Sequence, residues 1–515
     1  MEVPYPPQSL ELSESGSGSS VEDGVDGSDS VPKEEAYIHT LPFELFYFVF
    51  IHAIRPKTER FRSVEAHFPK FNLTALALSQ TCAQWRSILL GTPEIWAVID
   101  INTPPTTEIV RLLELYLARS GDTVSLDISL SDSPTRDGNP AHIGQRYGSG
   151  TLPIEEELMR DIFDIFICQA YRWKKIDFYL DRTPPKFSFL NAPLRDLWNI
   201  DSMSINFDCS PGSFGASGAS WDGALRGVWE RIHKSPSLRA VHWQYLDALP
   251  SAPFPQLTKI SLRSIDLASL FDHLPSCRVL QHLEIDRLLG PNSSLPMDPV
   301  QLPHLDTLIV RLITVEAAQL LDLLILPDLK ELYLRHGWLI KKPAALEGLL
   351  SRSLCTLERF SLVDRASSEA EVIAYLNYAM PFFKKVKVCM LKLKGITERT
   401  VNALMPQYIP FPAAASEGLP PRYPLGEIVL PFPALQDLTL IGCFIKEDGL
   451  IGHMVMARQL LNCPLFVLEI ELKGTCIPWL VLKKDDWILK TLIEDETDYE
   501  WRLKGKLYKF EWRVR

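Results

Sequence analysis

The stretch Leu305-Asp-Thr-Leu308-Ile-Val310 contains the pattern that decides the fold of this chain. It is an L-x-x-L-x-L phrase with valine in the last position, and Pro303 precedes it. Apolar residues that alternate with other residues over so short a run are typical of a β-strand with one face in a core. The residues that follow, 314–326, have helical spacing and predict a helical return segment.

The same phrase, or a close variant, recurs along the chain, and a proline introduces many of the copies. The copies lie at Leu194/Leu197, Leu238/Val241/Trp243, Leu257/Ile260/Leu262, Leu280/Leu283/Ile285, Leu305/Leu308/Val310, Leu329/Leu332/Leu334, Leu357/Phe360/Leu362 and Leu435/Leu438/Leu440. In the middle of the series they are separated by 23 to 28 residues, a spacing typical of leucine-rich repeats. One such unit cannot bury its apolar face, whereas stacked units share a continuous core. The prediction is therefore an α/β solenoid.

The repeat is degenerate at the position three residues after its third apolar residue. A regular leucine-rich repeat has Asn or Cys there, and Cys443 follows Leu440 in this way. In other copies the position is occupied by Ile265, Leu288, Ile313 and Gly337. We therefore expect an irregular, flattened horseshoe, from which residues 208–224 and 408–426 project as loops rich in Gly/Ser and Pro/Ala. The alternative is an ordinary α/β domain with unrelated strands.

The composition of the 515-residue chain is that of a globular protein, with 46% hydrophobic and 23% charged residues. A net charge of −11 argues against a general nucleic-acid binder, because such a surface needs a basic stripe to displace counterions. The nine cysteines lack C-x-x-C spacing, which disfavours a zinc cluster or a disulfide framework and indicates reduced thiols in the cytoplasm or nucleus. The longest early apolar run, 45–54, is too short to span a bilayer, so no membrane partner is expected.

Motifs for catalysis are absent from the sequence. It contains no H-E-x-x-H, no Walker-type glycine loop and no G-x-S-x-G elbow, and its 11 histidines do not cluster at ligand spacing. We therefore expect no catalytic residue, no metal and no cofactor. Near the C-terminus an acidic run at 494–500 precedes basic residues interleaved with aromatic ones. This alternation predicts an edge strand or hairpin that closes the solenoid, with a site for an anionic ligand as the alternative.

Composition divides the chain into four parts. Residues 1–36 have the Ser, Gly and acidic composition of a disordered tail. Residues 37–100 form a very apolar, all-helical unit, and 101–152 link it to the repeat body at 153–515. Local signals predict helices at 41–54 with Thr40 as N-cap, at 73–90 and at 106–119 with Gly121 as C-cap, a short turn up to Trp96, a strand at 124–130 and a loop at 131–152.

Three segments of the helical unit, taken together, resemble an F-box domain. Leu41-Pro-Phe-Glu-Leu45 and the apolar residues after it resemble the L-P-x-E-L start of the motif. Residues 78–86, which include Cys-Ala-Gln-Trp-Arg, are similar to its L-s-x-V-C-x-x-W-R pattern, and residues 91–96 to s-P-x-L-W. Residues 112–121 are similar to the segment after the F-box in large fungal families, in which a divergent leucine-rich-repeat region forms the rest.

The resemblance implies a substrate-recognition adaptor of an SCF-type, cullin-RING ubiquitin ligase. In that family the F-box binds a small Skp-type adaptor, which bridges to a cullin and a RING subunit, and the repeat region holds a client protein. The residues that match the adaptor-contact positions are Leu41, Pro42, Leu45, Val49 and Phe50. The residues that match the F-box core are Cys82, Trp85, Ile88 and Trp96.

The sequence also departs from the F-box pattern. Thr81 stands where the pattern has valine, and 55–73 is a long insertion. Phe43 and the run from Phe46 to Phe48 make the first helix unusually aromatic. These departures motivate an alternative function, a leucine-rich-repeat interaction scaffold without ligase coupling.

Overall fold

A large sheet dominates the part of the chain that the structure, a computed structural model, describes. The described residues are 41–54, 70–71, 73–103, 105–131, 152–180, 197–207, 226–245, 252–290, 298–313, 317–335, 344–364, 368–410, 426–443, 445, 449–465, 467–472, 485, 500–505 and 509–511. The sheet has 16 strands, and they stand side by side in the order in which they occur along the chain. The first and last strands form its two edges, so the sheet is not closed into a barrel.

Each strand is short. The strands are β1 (Lys70–Phe71), β2 (Val98–Asn102), β3 (Leu126–Ser131), β4 (Trp173–Leu180), β5 (Ser202–Phe207), β6 (Ala240–Tyr245), β7 (Lys259–Asp266), β8 (His282–Leu289), β9 (Val300–Gln301), β10 (Thr307–Ile313), β11 (Leu324–Ile325), β12 (Glu331–Arg335), β13 (Arg359–Asp364), β14 (Val388–Ile396), β15 (Gln407–Pro410), β16 (Gly426–Val429), β17 (Asp437–Cys443), β18 (Val467–Leu472), β19 (Glu500–Gly505) and β20 (Lys509–Glu511). Two small two-stranded sheets, β9 with β11 and β15 with β16, lie apart from the large one.

Helices connect many of the strands. They are α1 (Phe43–Ile54), α2 (Thr74–Ser79), α3 (Ala83–Leu90), α4 (Pro93–Trp96), α5 (Thr107–Ser120), α6 (Leu152–Cys168), α7 (226–232), α8 (Leu267–His273), α9 (Ala317–Asp322), α10 (Ala344–Ser353), α11 (Glu369–Ala379), α12 (Glu398–Leu404) and α13 (Leu450–Leu460). From α9 to α13 each helix packs against the next. The fold is therefore a mixed α/β arrangement, as the sequence predicted at that level.

Fourteen consecutive strands of the large sheet, from β2 to β19, run parallel. Only the end strands differ, because β1 pairs antiparallel with β2 and β20 pairs antiparallel with β19. Parallel neighbours require a crossover connection, which the helical returns supply. The β19–β20 pair is the hairpin expected near the C-terminus.

The repeated phrase forms the buried side of this sheet. The seven copies from Leu238 to Leu440 supply β6, β7, β8, β10, β12, β13 and β17, and all of their apolar positions are buried. Leu308 of β10 pairs with Leu283 on one side and Leu332 on the other, so the second apolar position forms a column across the strands. In the earliest copy Leu197 is buried ahead of β5, and Leu194 lies outside the described residues.

Several strands carry the phrase in a form that the leucine pattern did not reveal. They are β4 with Trp173/Ile176/Phe178, β5 with Ile200/Met203/Ile205, β14 with Val386/Cys389/Leu391 and β18 with Leu465/Leu468/Ile470. In the last three the first residue lies two residues before the strand. The pairings Phe360–Cys389 and Cys389–Leu438 place these residues in the same column as the leucines. Any buried side chain of suitable volume serves at these positions, because the column needs burial rather than leucine.

A backbone ladder aligns the strands at their starts. The carbonyl oxygen of Asp306 accepts the N–H groups of both Lys330, at 2.8 Å, and Glu331, at 2.9 Å. The carbonyls that accept two consecutive N–H groups in this way belong to Asp201, Arg239, Thr258, Gln281, Asp306, Lys330, Glu358 and Lys387. The ladder satisfies buried backbone groups and holds each strand in register with the next.

The degenerate repeat position is apolar in the structure. Ile265, Leu288 and Cys443 are buried there, and Ile265 pairs with Leu288. The side chain of Ile313 and the whole of Gly337 lie outside the described residues. Ile265 and Leu288 thus add apolar contacts to the core where a regular repeat has a hydrogen-bonding side chain, whereas Cys443 is one of the two residue types that a regular repeat has there.

Some boundaries differ from the sequence predictions. The single helix expected at 73–90 is two helices, α2 and α3, because Cys82 between them is extended. The unit at 37–100 is not all-helical, since it contains β1 and the start of β2. Of the return predicted at 314–326, residues 317–326 are described, and they form α9 followed by the short strand β11.

Other boundaries agree with the predictions. α5 begins after Thr106, whose side chain accepts the Ile109 N–H, and it ends at Gly121, whose φ is 63°. The strand expected at 124–130 begins two residues later, as β3. The insertion at 408–426 starts in β15 and ends in β16, and these two strands pair with each other. Outside the described residues lie the N-terminal residues 1–40, the loop residues 132–151, the insertion residues 208–225 and residues 411–425.

Candidate protein-interaction site

Helix α1 exposes an apolar surface to solvent. Phe43 is 53% exposed and Phe48 is 66% exposed. Large apolar side chains exposed on α1 or directly before it are Leu41, Phe43, Leu45, Phe48 and Val49. Pro42, directly before the helix, is exposed as well. A group of neighbouring apolar side chains of this size in water is typical of an interaction surface.

The opposite side of α1 packs inside the chain. Phe46, Phe50 and Ile54 are buried at helical spacing. The Phe50 ring lies 5.0 Å from the Trp85 ring, and the Phe46 ring lies 6.1 Å from it, both edge-on. These three aromatic side chains hold α1 against α3.

Phe50 is therefore a correction to the predicted adaptor-contact set. Its side chain is only 1% exposed, so it belongs to the core of the helical unit rather than to its surface. The other four residues of that set, Leu41, Pro42, Leu45 and Val49, are exposed. Sequence spacing could not separate the two groups, because α1 is apolar around most of its circumference.

The predicted core residues pack within the helical unit, though not all of them deeply. The Cys82 thiol accepts the Trp85 N–H at 3.4 Å and so caps α3. Cys82, Trp85 and Ile88 are half-buried, and Trp85 and Ile88 contact the hydrophobic core.

Trp96 joins the helical unit to the sheet. It is fully buried, and its indole N–H donates to the Leu89 carbonyl at 2.8 Å. Its ring lies edge-on to Tyr116 at 5.1 Å, and the Arg119 guanidinium lies 4.3 Å above it. Through these contacts α3, α4 and α5 are packed as one group next to β2.

The sheet face opposite the apolar columns has a cluster of paired charges. Arg311 of β10 donates from Nε to Glu284 at 2.9 Å and lies 3.0 Å from an oxygen of Asp286, and its Nη2 also contacts Glu284. His282 Nε2 lies 3.8 Å from Glu284. Burial alone would raise the pKa of Glu284, but His282 and Arg311 outweigh it and hold that pKa at about 2. The sequence did not indicate this cluster.

Glu284→Gln is expected to lower the free energy of unfolding at pH 7 by about 2–3 kcal/mol, because the carboxylate is mostly buried and the amide cannot replace its ion pairs. A lowered pKa in the folded state gives stability that is present above the unfolded value, near 4.5, and is lost as the pH falls toward about 2. The difference between the two proteins should therefore shrink over that range in denaturant titrations.

The matched control is Glu114→Gln, which removes an exposed carboxylate from α5. This control should unfold like the wild type at every pH. If Glu284→Gln showed the same pH dependence as the wild type, the stabilising role of the Glu284 ion pairs would be wrong.

Several cysteine thiols among the described residues are buried, whereas Cys168 is exposed. Burial raises the pKa of Cys277 to about 12, of Cys355 to about 11 and of Cys389 to about 12, so these thiols stay protonated at neutral pH. His242 Nδ1 and Ser261 Oγ lie 2.7 Å apart on the polar sheet face, and burial lowers the pKa of His242. Within the described ranges, no group of His, Cys, Asp and Glu side chains is placed to hold a metal ion.

Comparisons with known proteins do not extend this description. No protein-family model matches the chain, and no curated protein matches it. Among the described residues, none of the helices combines the length and apolar character that a membrane-crossing segment needs. The site is therefore characterised by its own geometry: a helix with one apolar side exposed, attached to a long parallel sheet.

Proposed function

We propose that this protein is a non-catalytic substrate-recognition adaptor, whose F-box-like helical unit binds a Skp-type adaptor of a cullin-RING ubiquitin ligase. The observation that carries the proposal is the division of α1 into two sides. Phe46, Phe50 and Ile54 are buried, whereas Leu45 and Val49 on the same helix are exposed. A helix that only stabilised its own domain would not need apolar residues on its solvent side.

The position of the exposed side agrees with the F-box resemblance. Leu41, Pro42, Leu45 and Val49 match adaptor-contact positions of the motif and are exposed together. Trp85 and Trp96 match core positions and pack inside. A protein interface of ordinary size, about 1,600 Å² in total, could be centred on these four residues.

The parallel sheet would act as the client-binding body. In this proposal it is a divergent leucine-rich-repeat horseshoe, supported by the 14 parallel strands in chain order and by the phrase that recurs in them. Holding a client beside the ligase raises its effective concentration at the conjugating enzyme, so no residue of this chain has to react. The client itself is a protein of the cytoplasm or nucleus.

The test is retention of a purified Skp-type adaptor by the full chain. Wild type should bind, and Leu41→Ala/Pro42→Ala should bind about 30-fold more weakly, which is the loss expected for residues at the centre of an interface. The matched control is Leu460→Ala at the end of α13, because Leu460 is 77% exposed and lies outside the helical unit. Equal binding of wild type and double variant would show that this surface is not the contact.

A scaffold without ligase coupling is the second candidate. The observation that favours it is the burial of Phe50, which removes one matched contact from the surface. If the wild-type chain did not retain the adaptor at all, the adaptor function would be lost and the scaffold would be the remaining candidate.

A further inference from the structure

Two large aromatic side chains are exposed where β4 and β5 begin, at the edge of the sheet that the starts of its strands form. This edge is distinct from the outer strands β1 and β20. Trp198 is 63% exposed and Tyr171 is 43% exposed. Both precede their strands, and both lie outside the helical unit. Tryptophan is usually well buried, and exposed aromatic side chains of this size mark interaction surfaces.

The turns that carry these side chains are held by hydrogen bonds. Asn199 Nδ2 donates to the carbonyl of Tyr171 at 3.1 Å and so ties the two turns together. The hydroxyl of Ser235, which is buried, donates to the carbonyls of Trp198 at 3.5 Å and Ile200 at 3.2 Å. A surface ordered in advance loses little conformational entropy when it binds.

Exposed cations lie along the same edge. Lys174 and Arg239 stand on either side of Asp201, since the Lys174 carbonyl accepts the Asp201 N–H at 2.9 Å and the Asp201 carbonyl accepts the Arg239 N–H at 2.8 Å. Lys234, in the turn before Arg239, is exposed too. The Arg239 guanidinium donates to the carbonyls of Pro236, at 2.9 Å, and Leu238, at 3.1 Å, which fixes its position.

These three cations can form ion pairs with a ligand, unlike Arg311 on the polar sheet face. In the described part of the chain no carboxylate lies within ion-pair distance of Lys174, Lys234 or Arg239. Arg311, in contrast, is already paired with Glu284 and Asp286. The edge therefore combines exposed aromatic rings with three cations, and the half-buried Asp201 lies between Lys174 and Arg239.

We propose that this edge, consisting of Tyr171, Lys174, Trp198, Lys234 and Arg239, binds an acidic peptide segment of the client protein. Trp, Tyr and Arg are the residues in which binding energy concentrates at protein interfaces, and the cations would pair with carboxylates of the segment. A single-stranded nucleic acid carries the same sign of charge, and its binding is one of the outcomes of the test. The proposal rests on the proposed function in one respect, that the ligand is a client protein.

The test is fluorescence anisotropy of the full chain with a labelled peptide of ten glutamates around one tyrosine. Wild type should bind it, and the affinity should fall as salt is added, because the contact is partly ionic. Trp198→Ala should weaken binding about 30-fold, and Lys174→Glu/Arg239→Glu should weaken it about 10-fold or more and reduce the salt dependence, because only Lys234 of the three cations remains.

Matched controls separate this edge from the rest of the sheet. Lys330→Glu changes an exposed lysine at the equivalent ladder position before β12, and Leu460→Ala removes an exposed apolar side chain elsewhere. Both should bind the glutamate peptide like wild type. Two control ligands are a peptide with glutamine in place of glutamate and a labelled single-stranded oligouridylate. Both should bind the wild-type chain far more weakly than the glutamate peptide does.

Three results would overturn the proposal: no binding of the glutamate peptide by wild type, equal binding by Trp198→Ala and wild type, or tighter binding of oligouridylate than of the peptide. This assay contains no Skp-type adaptor. A failure here and a failure of adaptor retention are therefore separate results, and neither implies the other.

Discussion

Trp96→Ala is expected to lower the free energy of unfolding by about 3–5 kcal/mol, the usual cost of removing a large aromatic side chain from a packed interior. The residue is the last of α4, and its side chain is fully buried against Tyr116 of α5. Its removal leaves a cavity beside Tyr116, deprives the Leu89 carbonyl of its indole donor and takes the ring from beneath Arg119. Denaturant titration followed by far-ultraviolet circular dichroism measures the change.

Two variants control for the loss of a tryptophan in itself. Trp198→Ala removes an exposed indole and should change the free energy of unfolding by less than about 0.5 kcal/mol. Trp96→Phe keeps most of the ring but not the N–H, so it should cost about 1–3 kcal/mol. If Trp96→Ala unfolded like Trp198→Ala, the packing assigned to α4 and α5 would be wrong.

Gly442→Ala is expected to destabilise the chain by about 3 kcal/mol or more, because β17 can accommodate only glycine at this position. Gly442 has a φ of 92°, in the region that side chains rarely adopt, and β17 changes register there against β18. A Cβ atom added to it would contact the carbonyl oxygen of Leu393 in β14 at 2.2 Å. β14 would have to move away from β17, and the columns of buried side chains that cross β13, β14 and β17 would move with it.

Gly227→Ala is the matched control for that prediction. Gly227 lies in α7, and nothing lies within 4 Å of an added Cβ atom. Alanine is the better helix former, so this variant should be more stable than wild type by about 0.5–1 kcal/mol. Thermal unfolding of the two glycine variants side by side should shift the midpoint in opposite directions. A Gly442→Ala variant as stable as Gly227→Ala would contradict the register change in β17.

The stability variants also limit how binding results can be interpreted. Trp96 supports both the helical unit and its attachment to the sheet, so weaker adaptor retention by Trp96→Ala would not identify a contact surface. The substitutions at Leu41 and Pro42 do, because both residues are exposed and their removal leaves the Phe46–Phe50–Trp85 packing in place. At the sheet edge Trp198→Ala is the informative variant, because the Trp198 side chain is exposed and its removal leaves the packed interior in place.

Part of the site could be predicted from local pattern and part could not. The exposed positions Leu41, Leu45 and Val49 followed from the motif, but Phe50 of the same helix is turned inward to Trp85. On a helix that is apolar nearly all round, only the partner that packs against it decides which side is buried. The edge with Trp198 and Arg239 had no sequence signal, since the backbone ladder brings together turns that are about forty residues apart.

The sequence alone determined the repeating unit, because a phrase such as Leu305/Leu308/Val310 makes a strand with one apolar side whatever surrounds it. It also determined α5, whose cap residues Thr106 and Gly121 act locally. Three further features depend on how the strands assemble. Strands carrying Trp173 or Cys389 belong to the same columns, Glu284 pairs with Arg311 of a different strand, and β17 needs a glycine. Each of these depends on a neighbouring strand that is distant in the chain, and a local pattern contains no information about that neighbour.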